Sequence, residues 1–195
     1  MQALAASAAL VLALTTVAGP VCLASTPPAR VDAVGRPAQR VFTGKDGLPQ
    51  NAITSIAQDR DGYLWIGTRD GAARYDGRVW SVVNMPPETG RNEVWCVRPA
   101  SDGGVWFGTN GGGIAHLDPA GRWTVYTTKD GLPSDEVTDI VELGPGTPAP
   151  SLWASSPRGL ATLEGARWRT VEPRSTTVGL LATKLLARPD EAGVP

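Results

Sequence analysis

The sequence predicts an all-β fold of repeated four-stranded antiparallel sheets, and three observations lead to this prediction. Tryptophans recur in two sets, with separations of 41 and 47 residues in one and of 43 and 45 in the other: Trp65, Trp106 and Trp153, then Trp80, Trp123 and Trp168. The text KDGLP occurs twice, 84 residues apart, at Lys45–Pro49 and Lys129–Pro133. The 195 residues include 23 glycines and 17 prolines, about a fifth of the chain against roughly 12% on average, so turns are frequent.

Each repeat contains four short apolar runs that are separated by turn residues. In the first repeat the predicted strands are Ala52–Gln58, Tyr63–Thr68, Ala72–Asp76 and Val79–Val83. The first two are joined by Asp59–Gly62, where glycine permits the positive φ of a tight hairpin. Ser101–Gly104 takes the same place in the second repeat.

Four strands in a repeat of about 40 to 45 residues are typical of a β-propeller blade. One blade cannot bury both faces of its sheet, whereas blades stacked around an axis can. We therefore predict a partial β-propeller of three four-stranded antiparallel blades, at 47–84, 85–127 and 128–171. The repeated tryptophans are expected to pack between blades, with Gly67 and Gly108 permitting close approach, and stacking on a ligand is the alternative.

Two further segments are interpreted as incomplete parts of a propeller. Residues 39–46 contain a run similar to the one before the second KDGLP, and they are predicted to be the outer strand of a missing last blade. Residues 172–195 are predicted to start a fourth blade, with its first strand at Val178–Ala187, and a short terminal helix at Leu180–Ala187 is the alternative. Because propellers close with about four to eight blades, the chain is expected to be a fragment.

Residues 1–24 are predicted to be a secretory signal peptide, followed by a linker at 25–38. No Lys, Arg, Asp or Glu precedes Arg30, and the apolar run Ala8–Ala18 is shorter than the roughly 20 residues that cross a bilayer. Cleavage is expected after Ala24, or alternatively at the end of that apolar run. A buried N-terminal helix is the alternative interpretation.

The segment GLPQNAITSIAQDRDGYLWIGTRDGAARYDG, Gly47–Gly77, resembles the repeat of the two-component regulator propeller family. The resemblance continues through Glu93–Asp118 and, more loosely, through Gly131–Val171. It implies the extracytoplasmic sensor region of a bacterial signalling protein, on the periplasmic side of the inner membrane of a Gram-negative cell. It also implies a full-length dimer, whose further blades and output module, a histidine kinase or a diguanylate cyclase, would lie outside this chain. The implied partner is an extracellular ligand, and some relatives sense a carbohydrate.

The residues themselves carry no recognisable catalytic or metal-binding motif. The single histidine, His116, occupies a strand position, and two Cys and one His cannot form a zinc cluster. The aspartates of the first hairpins are interpreted as turn-stabilising rather than as calcium ligands, and Cys96 as a small buried residue. A net charge of −1 gives no electrostatic reason to bind nucleic acid. The region is therefore predicted to be non-catalytic, with no metal and no cofactor.

Candidate ligand contacts are the turns between second and third strands, because propeller function concentrates on loops near the axis. The polar residues there differ between repeats: Arg69, Asp70, Asn110 and Arg158. Ordinary solvated turn residues are the alternative interpretation. The predicted function is ligand sensing in bacterial signal transduction. Two alternatives stay open, a secreted hydrolase or lyase whose active site lies in absent blades, and a secreted binding module that assembles a ring from several chains.

Overall fold

Three four-stranded antiparallel sheets, each with its strands in chain order, make up the structure. The structure, a computed structural model, describes residues 40–90, 93–144 and 151–171 together with Leu185. Blade 1 contains β1 (Ile53–Gln58), β2 (Leu64–Thr68), β3 (Gly71–Tyr75) and β4 (Trp80–Val83). Blade 2 contains β5 (Val94–Pro99), β6 (Val105–Thr109), β7 (Ile114–Leu117) and β8 (Trp123–Tyr126). Blade 3 contains β9 (Asp139–Leu143), β10 (Ser151–Ser156), β11 (Gly159–Glu164) and β12 (Arg167–Val171), so the prediction of an all-β fold of four-stranded blades is confirmed.

The chain divides into two units, Met1–Arg40 and Val41–Pro195, and all twelve of these strands belong to the second. The predicted signal peptide and linker lie outside the described residues. So does the predicted fourth blade at 172–195, except for Leu185. Within the described ranges, no helix has the length and hydropathy of a bilayer-spanning segment.

The predicted outer strand at 39–46 is not observed in residues 40–46. Instead Thr43 caps a single 3-10 turn, Gly44–Asp46, and the Asp46 carboxylate accepts a hydrogen bond of 2.8 Å from the backbone N–H of Thr43. The second KDGLP forms the same capped turn after β8. Among the described residues, the three sheets consist of β1–β12, so residues 40–43 belong to none of them.

Two of the three second-strand tryptophans lie between blades, as predicted, whereas Trp153 is half-buried and belongs to none of the three apolar clusters. Trp65 is 5% exposed in the seam between blades 1 and 2, with its ring centroid 6.0 Å from that of Phe107. Trp106 is 8% exposed in the seam between blades 2 and 3, where it packs with Ile140 and Ala154. Each seam is an apolar layer contributed by two blades, which is the burial that a lone sheet cannot achieve.

Two glycines permit this close approach of the blades. A Cβ added at Gly67 would lie 2.9 Å from Val94 Cγ1, which belongs to blade 2. A Cβ added at Gly108 would lie 2.9 Å from Val137 Cγ1, next to the first strand of blade 3. Both distances are shorter than ordinary van der Waals contact, so even alanine would force the blades apart at these positions.

The KDGLP loops fold against the outer strand of the blade that follows them. Gly47 has a φ of 101°, and a Cβ there would lie 2.8 Å from the carbonyl oxygen of Trp80. Leu48 is buried in the same apolar cluster as Trp80, and Leu132 is buried with Trp168 in the seam between blades 2 and 3. The repeated text therefore encodes a left-handed glycine followed by a buried leucine.

Part of the apolar face of blade 1 remains exposed. Ile56 and Val82 are 62% and 55% exposed, whereas their counterparts in blade 2, Val97 and Val125, lie in the seam between blades 1 and 2. This face of blade 1 therefore has the residue types that a neighbouring blade covers elsewhere in the molecule.

Candidate functional site

The first strands of the three blades lie next to one another and line a groove of about 370 Å³, which we call the inner groove. Its lining mixes apolar, aromatic, hydroxyl and charged side chains: Ile53, Thr54, Ser55, Ile56, Trp95, Cys96, Arg98, Thr138 and Asp139. A concave surface that combines apolar walls with a few polar groups is the usual form of a ligand site.

A β-bulge shapes this groove in two of the three blades. The pairing register shifts between Ile53 and Ser55 in blade 1, and between Val94 and Cys96 in blade 2. The residue inside each bulge, Thr54 or Trp95, leaves the regular ladder and lines the groove. Bulges often re-aim side chains beside functional sites.

Hydrogen bonds between blades hold the groove in shape. The Thr54 hydroxyl donates to the carbonyl oxygen of Val94, and the backbone N–H of Val97 donates to Ser55 Oγ at 3.1 Å. A hydrogen bond also joins blades 2 and 3, where Arg98 Nε donates to the carbonyl oxygen of Ile140 at 3.0 Å. The first strands are therefore fixed to one another by polar contacts as well as by the seams.

A buried ion pair lies at the blade 3 side of the groove. Arg98 Nη2 donates to Asp139 Oδ1 at 2.8 Å, and the Asp139 side chain is only 2% exposed. Asp139 Oδ1 also accepts from the backbone N–H of Ile140, and its Oδ2 accepts from that of Leu185 at 3.0 Å. Both oxygens of this buried carboxylate therefore accept hydrogen bonds from protein donors.

The four sequence-predicted ligand contacts lie in the turns after β2, β6 and β10. Arg69, Asp70 and Arg158 are exposed, whereas the Asn110 side chain is half-buried and donates to Glu93 Oε2 at 2.7 Å. Within the described ranges, these four residues share no hydrogen bond or ion pair with one another. Asn110 therefore has a structural bond, and the other three present their side chains to solvent.

The hairpin turn of blade 1 at the other end of these strands uses its aspartate for folding. Asp59 Oδ1 accepts from the backbone N–H of Tyr63 at 2.9 Å, and Oδ2 accepts from Trp65 Nε1 at 2.7 Å. Arg60 donates to the carbonyl oxygen of Ala100 at 3.2 Å and so ties this turn to blade 2. Asp59 thus stabilises the turn, as interpreted from the sequence.

His116 and Cys96 are the side chains whose chemistry most often suggests catalysis, and both are enclosed. The His116 ring stacks on Trp106 at 3.8 Å, its Nε2 lies 3.3 Å from Asp102 Oδ2, and its side chain is 12% exposed. Burial, followed by the negative charge of Asp139, raises the pKa of the Cys96 thiol to about 12. Cys96 is therefore a neutral thiol at physiological pH and a poor nucleophile.

Sequence reasoning missed the inner groove. Its one usable signal was Trp95, the single tryptophan of seven that falls in neither repeated set. The Arg98–Asp139 pair carries no local signal, because its members are 41 residues apart and only blade stacking brings them together.

The stacked four-stranded blades with tryptophan-filled seams define part of a β-propeller. Residues 47–70 and 90–111 match the model of the family described as two component regulator propeller. The matched stretches include β1 and β2 of blade 1 and β5 and β6 of blade 2. These two stretches therefore match the two component regulator propeller repeat, which confirms the resemblance found in the sequence.

Individual proteins of known name are similar to this chain in sequence or in structure. The chain is 45% identical over 47 residues to histidine kinase P4 of Formosa agariphila, a match that covers 24% of this chain and 3% of that protein. It is similar in structure to the extracellular domain of a hybrid two-component system of B. thetaiotaomicron, with a TM-score of 0.59 and 23% identity over 68% of this chain and 20% of that one. It also resembles streptogramin B lyase, with a TM-score of 0.53 and 20% identity over 66% of this chain and 43% of that enzyme. These two structural similarities establish the fold alone, and the chain spans a small part of both signalling relatives.

Proposed function

We propose that this chain is the ligand-sensing propeller region of a bacterial signal-transduction protein, exposed on the periplasmic side of the inner membrane and itself non-catalytic. The observation that carries the proposal is the family match at residues 47–70 and 90–111. The similarity to a histidine kinase and to the extracellular domain of a hybrid two-component system supports it.

The placement of the reactive side chains supports a non-catalytic role. A general base must reach its substrate, and the ring of His116 is stacked on Trp106 with only 12% of its side chain exposed. A nucleophilic cysteine needs a lowered pKa, and that of Cys96 is raised. The enclosure of both groups supports the proposal that this region is regulatory.

Sensing by such a region would work through a shift of populations. Ligand binding favours one arrangement of a dimeric receptor, and the equilibrium moves only as far as the two arrangements differ in affinity. The exposed turn residues Arg69, Asp70 and Arg158, and the inner groove, are the surfaces that a ligand can reach. The rigid seams would transmit the change, because packed layers move as units rather than deform continuously.

A propeller lyase or hydrolase is the second candidate, favoured by the similarity of fold to streptogramin B lyase. The two candidates differ in what the region contributes. A sensor changes gene expression or output-domain activity when it binds its ligand, whereas a lyase converts its substrate without any other domain.

The test removes codons 47–171 from the gene in its source bacterium and compares transcripts with those of the whole-gene deletion. If residues 47–171 are the sensor region, both deletions should abolish expression of the same set of transcripts that the intact gene induces. Alkaline phosphatase fused after residue 171 should be active only when residues 1–24 are present. Unchanged transcripts in the 47–171 deletion, or a cytoplasmic fusion, would contradict the proposal, and turnover of a substrate by the purified chain would favour the enzyme.

A further inference from the structure

One position of the first strands carries a side chain that holds the next blade. Three residues share this position, because each pairs with the residue that lies two places after the repeated tryptophan of the second strand: Ser55, Cys96 and Asp139. Ser55 Oγ accepts from the backbone N–H of Val97 in blade 2 at 3.1 Å. The Cys96 sulfur accepts from the backbone N–H of Ile140 in blade 3, which it shares with Asp139 Oδ1. The side chain at this position therefore links one blade to the first strand of the next.

Leu185 is held in the same way, beyond the last described strand. Asp139 Oδ2 accepts from the backbone N–H of Leu185 at 3.0 Å. The two residues are 46 apart in the chain, close to the 42 residues between Ser55 and Val97. An acceptor at the same position and a separation of about one repeat make Leu185 the counterpart of Val97.

A carboxylate at this position makes a link that a hydroxyl does not make. Its two oxygens accept hydrogen bonds independently, whereas serine has one oxygen. In Asp139 the two oxygens have different donors, because Arg98 Nη2 donates to Oδ1 at 2.8 Å and the Leu185 N–H donates to Oδ2. Asp139 therefore connects Arg98 to Leu185, whereas Ser55 is bonded to Val97 alone among the described residues.

The Arg98 end of this connection is open to a ligand. Arg98 lines the inner groove, and its side chain is 34% exposed. Its Nε and Nη2 donate to Ile140 and Asp139 of blade 3, whereas its Nη1 has no hydrogen-bond partner within the described ranges. A molecule that bonds to Nη1 can move the guanidinium and so turn the Asp139 carboxylate. Leu185, at the other end, is not part of the groove lining.

We propose that Arg98, Asp139 and Leu185 form a conformational relay, in which the groove-facing guanidinium fixes the Asp139 carboxylate and the carboxylate fixes Leu185. The relay carries a change at the inner groove to a residue beyond blade 3. A buried ion pair is seldom needed for stability alone, and setting registry or switching is its best-attested use. The use of the relay in signalling rests on the proposed function, whereas the coupling is a property of the fold.

Amide hydrogen exchange of the isotope-labelled 195-residue chain, followed by NMR, measures how firmly Leu185 is held. The Val137 amide is the reference. It donates to the carbonyl oxygen of Thr109 at 2.9 Å, so its exchange reports any general loosening between blades 2 and 3. The ratio of the two exchange rates therefore separates the relay from a loss of stability, and urea unfolding verifies the fold of each variant.

Four substitutions test the connection. Arg98→Gln removes the charge that fixes the carboxylate, and Asp139→Asn leaves one acceptor oxygen in place of two. Asp139→Ser installs the residue of blade 1, which holds the next N–H without an ion pair. Ser55→Ala is the matched control, because it removes an acceptor at the same position of another blade.

Arg98→Gln and Asp139→Asn should each speed exchange at Leu185 at least about fivefold relative to Val137, the lower end of typical coupling between sites. Asp139→Ser should keep that ratio within about twofold of the parent, and adding Arg98→Gln to it should change nothing further. Ser55→Ala should leave the ratio unchanged.

The relay is overturned if Arg98→Gln speeds Leu185 and Val137 equally, if its effect persists beside Asp139→Ser, or if Asp139→Asn leaves Leu185 at the parent rate. In the intact gene, Asp139→Ser should lower the induced transcripts at least about fivefold at normal protein abundance. Unaltered transcripts would overturn the use of the relay in signalling. The proposed function fails separately, through unchanged transcripts when codons 47–171 are deleted.

Discussion

Replacing Arg98 with alanine tests how far the blades depend on the polar link between them. The guanidinium is the charged partner of Asp139, whose side chain is 2% exposed, at 2.8 Å. The guanidinium also donates to the carbonyl oxygen of Ile140, which belongs to blade 3 like Asp139. Arg98→Ala therefore leaves a buried carboxylate without its counter-charge and a carbonyl without its donor.

The magnitude follows from the burial of the pair. Removing one partner of a fully buried ion pair costs about 3–5 kcal/mol, because the remaining charge stays desolvated. The Arg98 side chain is 34% exposed, so water can partly replace it, and we expect a loss of about 2–4 kcal/mol in the free energy of unfolding. The exposed pair of Arg122 and Asp118, also 2.8 Å apart, provides the matched control. Arg122→Ala should cost less than about 1 kcal/mol, because the Arg122 side chain is 81% exposed.

Urea unfolding followed by tryptophan fluorescence measures both losses. The double variant Arg98→Ala/Asp139→Asn removes the stranded charge and should recover about 1–2 kcal/mol relative to Arg98→Ala alone. Equal losses for Arg98→Ala and Arg122→Ala would refute the reasoning, and so would a double variant that is no more stable than the single one.

Gly108→Ala should lower the free energy of unfolding by about 1–3 kcal/mol, because its Cβ would lie 2.5 Å from Cys96 Sγ and 2.9 Å from Val137 Cγ1. Gly44→Ala, where the nearest atom would be 3.9 Å away, should cost less than about 1 kcal/mol. Urea unfolding that gave the reverse order would contradict the close packing around Gly108. Cys96 should resist a thiol reagent at pH 8 in the folded chain and react on unfolding, since its pKa is about 12; rapid labelling without urea would contradict its burial. Backbone N–H groups of Val79 and Arg78 lower the pKa of Asp76 below 3.8. The pKa of Asp76 is therefore lower in the folded than in the unfolded chain, so its contribution to the free energy of unfolding is present above about pH 4 and is lost as the pH falls. Asp76→Asn should flatten the decrease in stability below that pH. A decrease identical to that of the parent would contradict the hydrogen bonds of this turn.

Local sequence patterns were sufficient for the blades because their cues are short-ranged. Period-two alternation and turn glycines placed β1 and β2 within one residue of their observed starts, at Ile53 and Leu64. The repeat of Trp65 and Trp106 then located the seams between the described blades, whereas Trp153, at the same position in blade 3, belongs to none of the apolar clusters.

The errors and omissions arose where tertiary contacts decide. Residues 40–43 resemble the run that forms β8, but strand formation depends on a pairing partner that no local pattern supplies. Asn110 stays a predicted ligand contact, and its bond to Glu93 is a feature that only the fold reveals. The bulge at Trp95 and the pair of Arg98 with Asp139 depend on register and on blade stacking, which are long-range properties.

The packing of indoles between blades can be measured directly by fluorine NMR of the chain labelled with 5-fluorotryptophan, each resonance being assigned by a single Trp→Phe variant. A soluble nitroxide broadens the resonances of exposed rings. The account predicts that Trp65 and Trp106, at 5% and 8% exposure, stay sharp while the groove-lining Trp95 broadens. Broadening of Trp65 and Trp106 to the same extent as Trp95 would contradict the stacked blades.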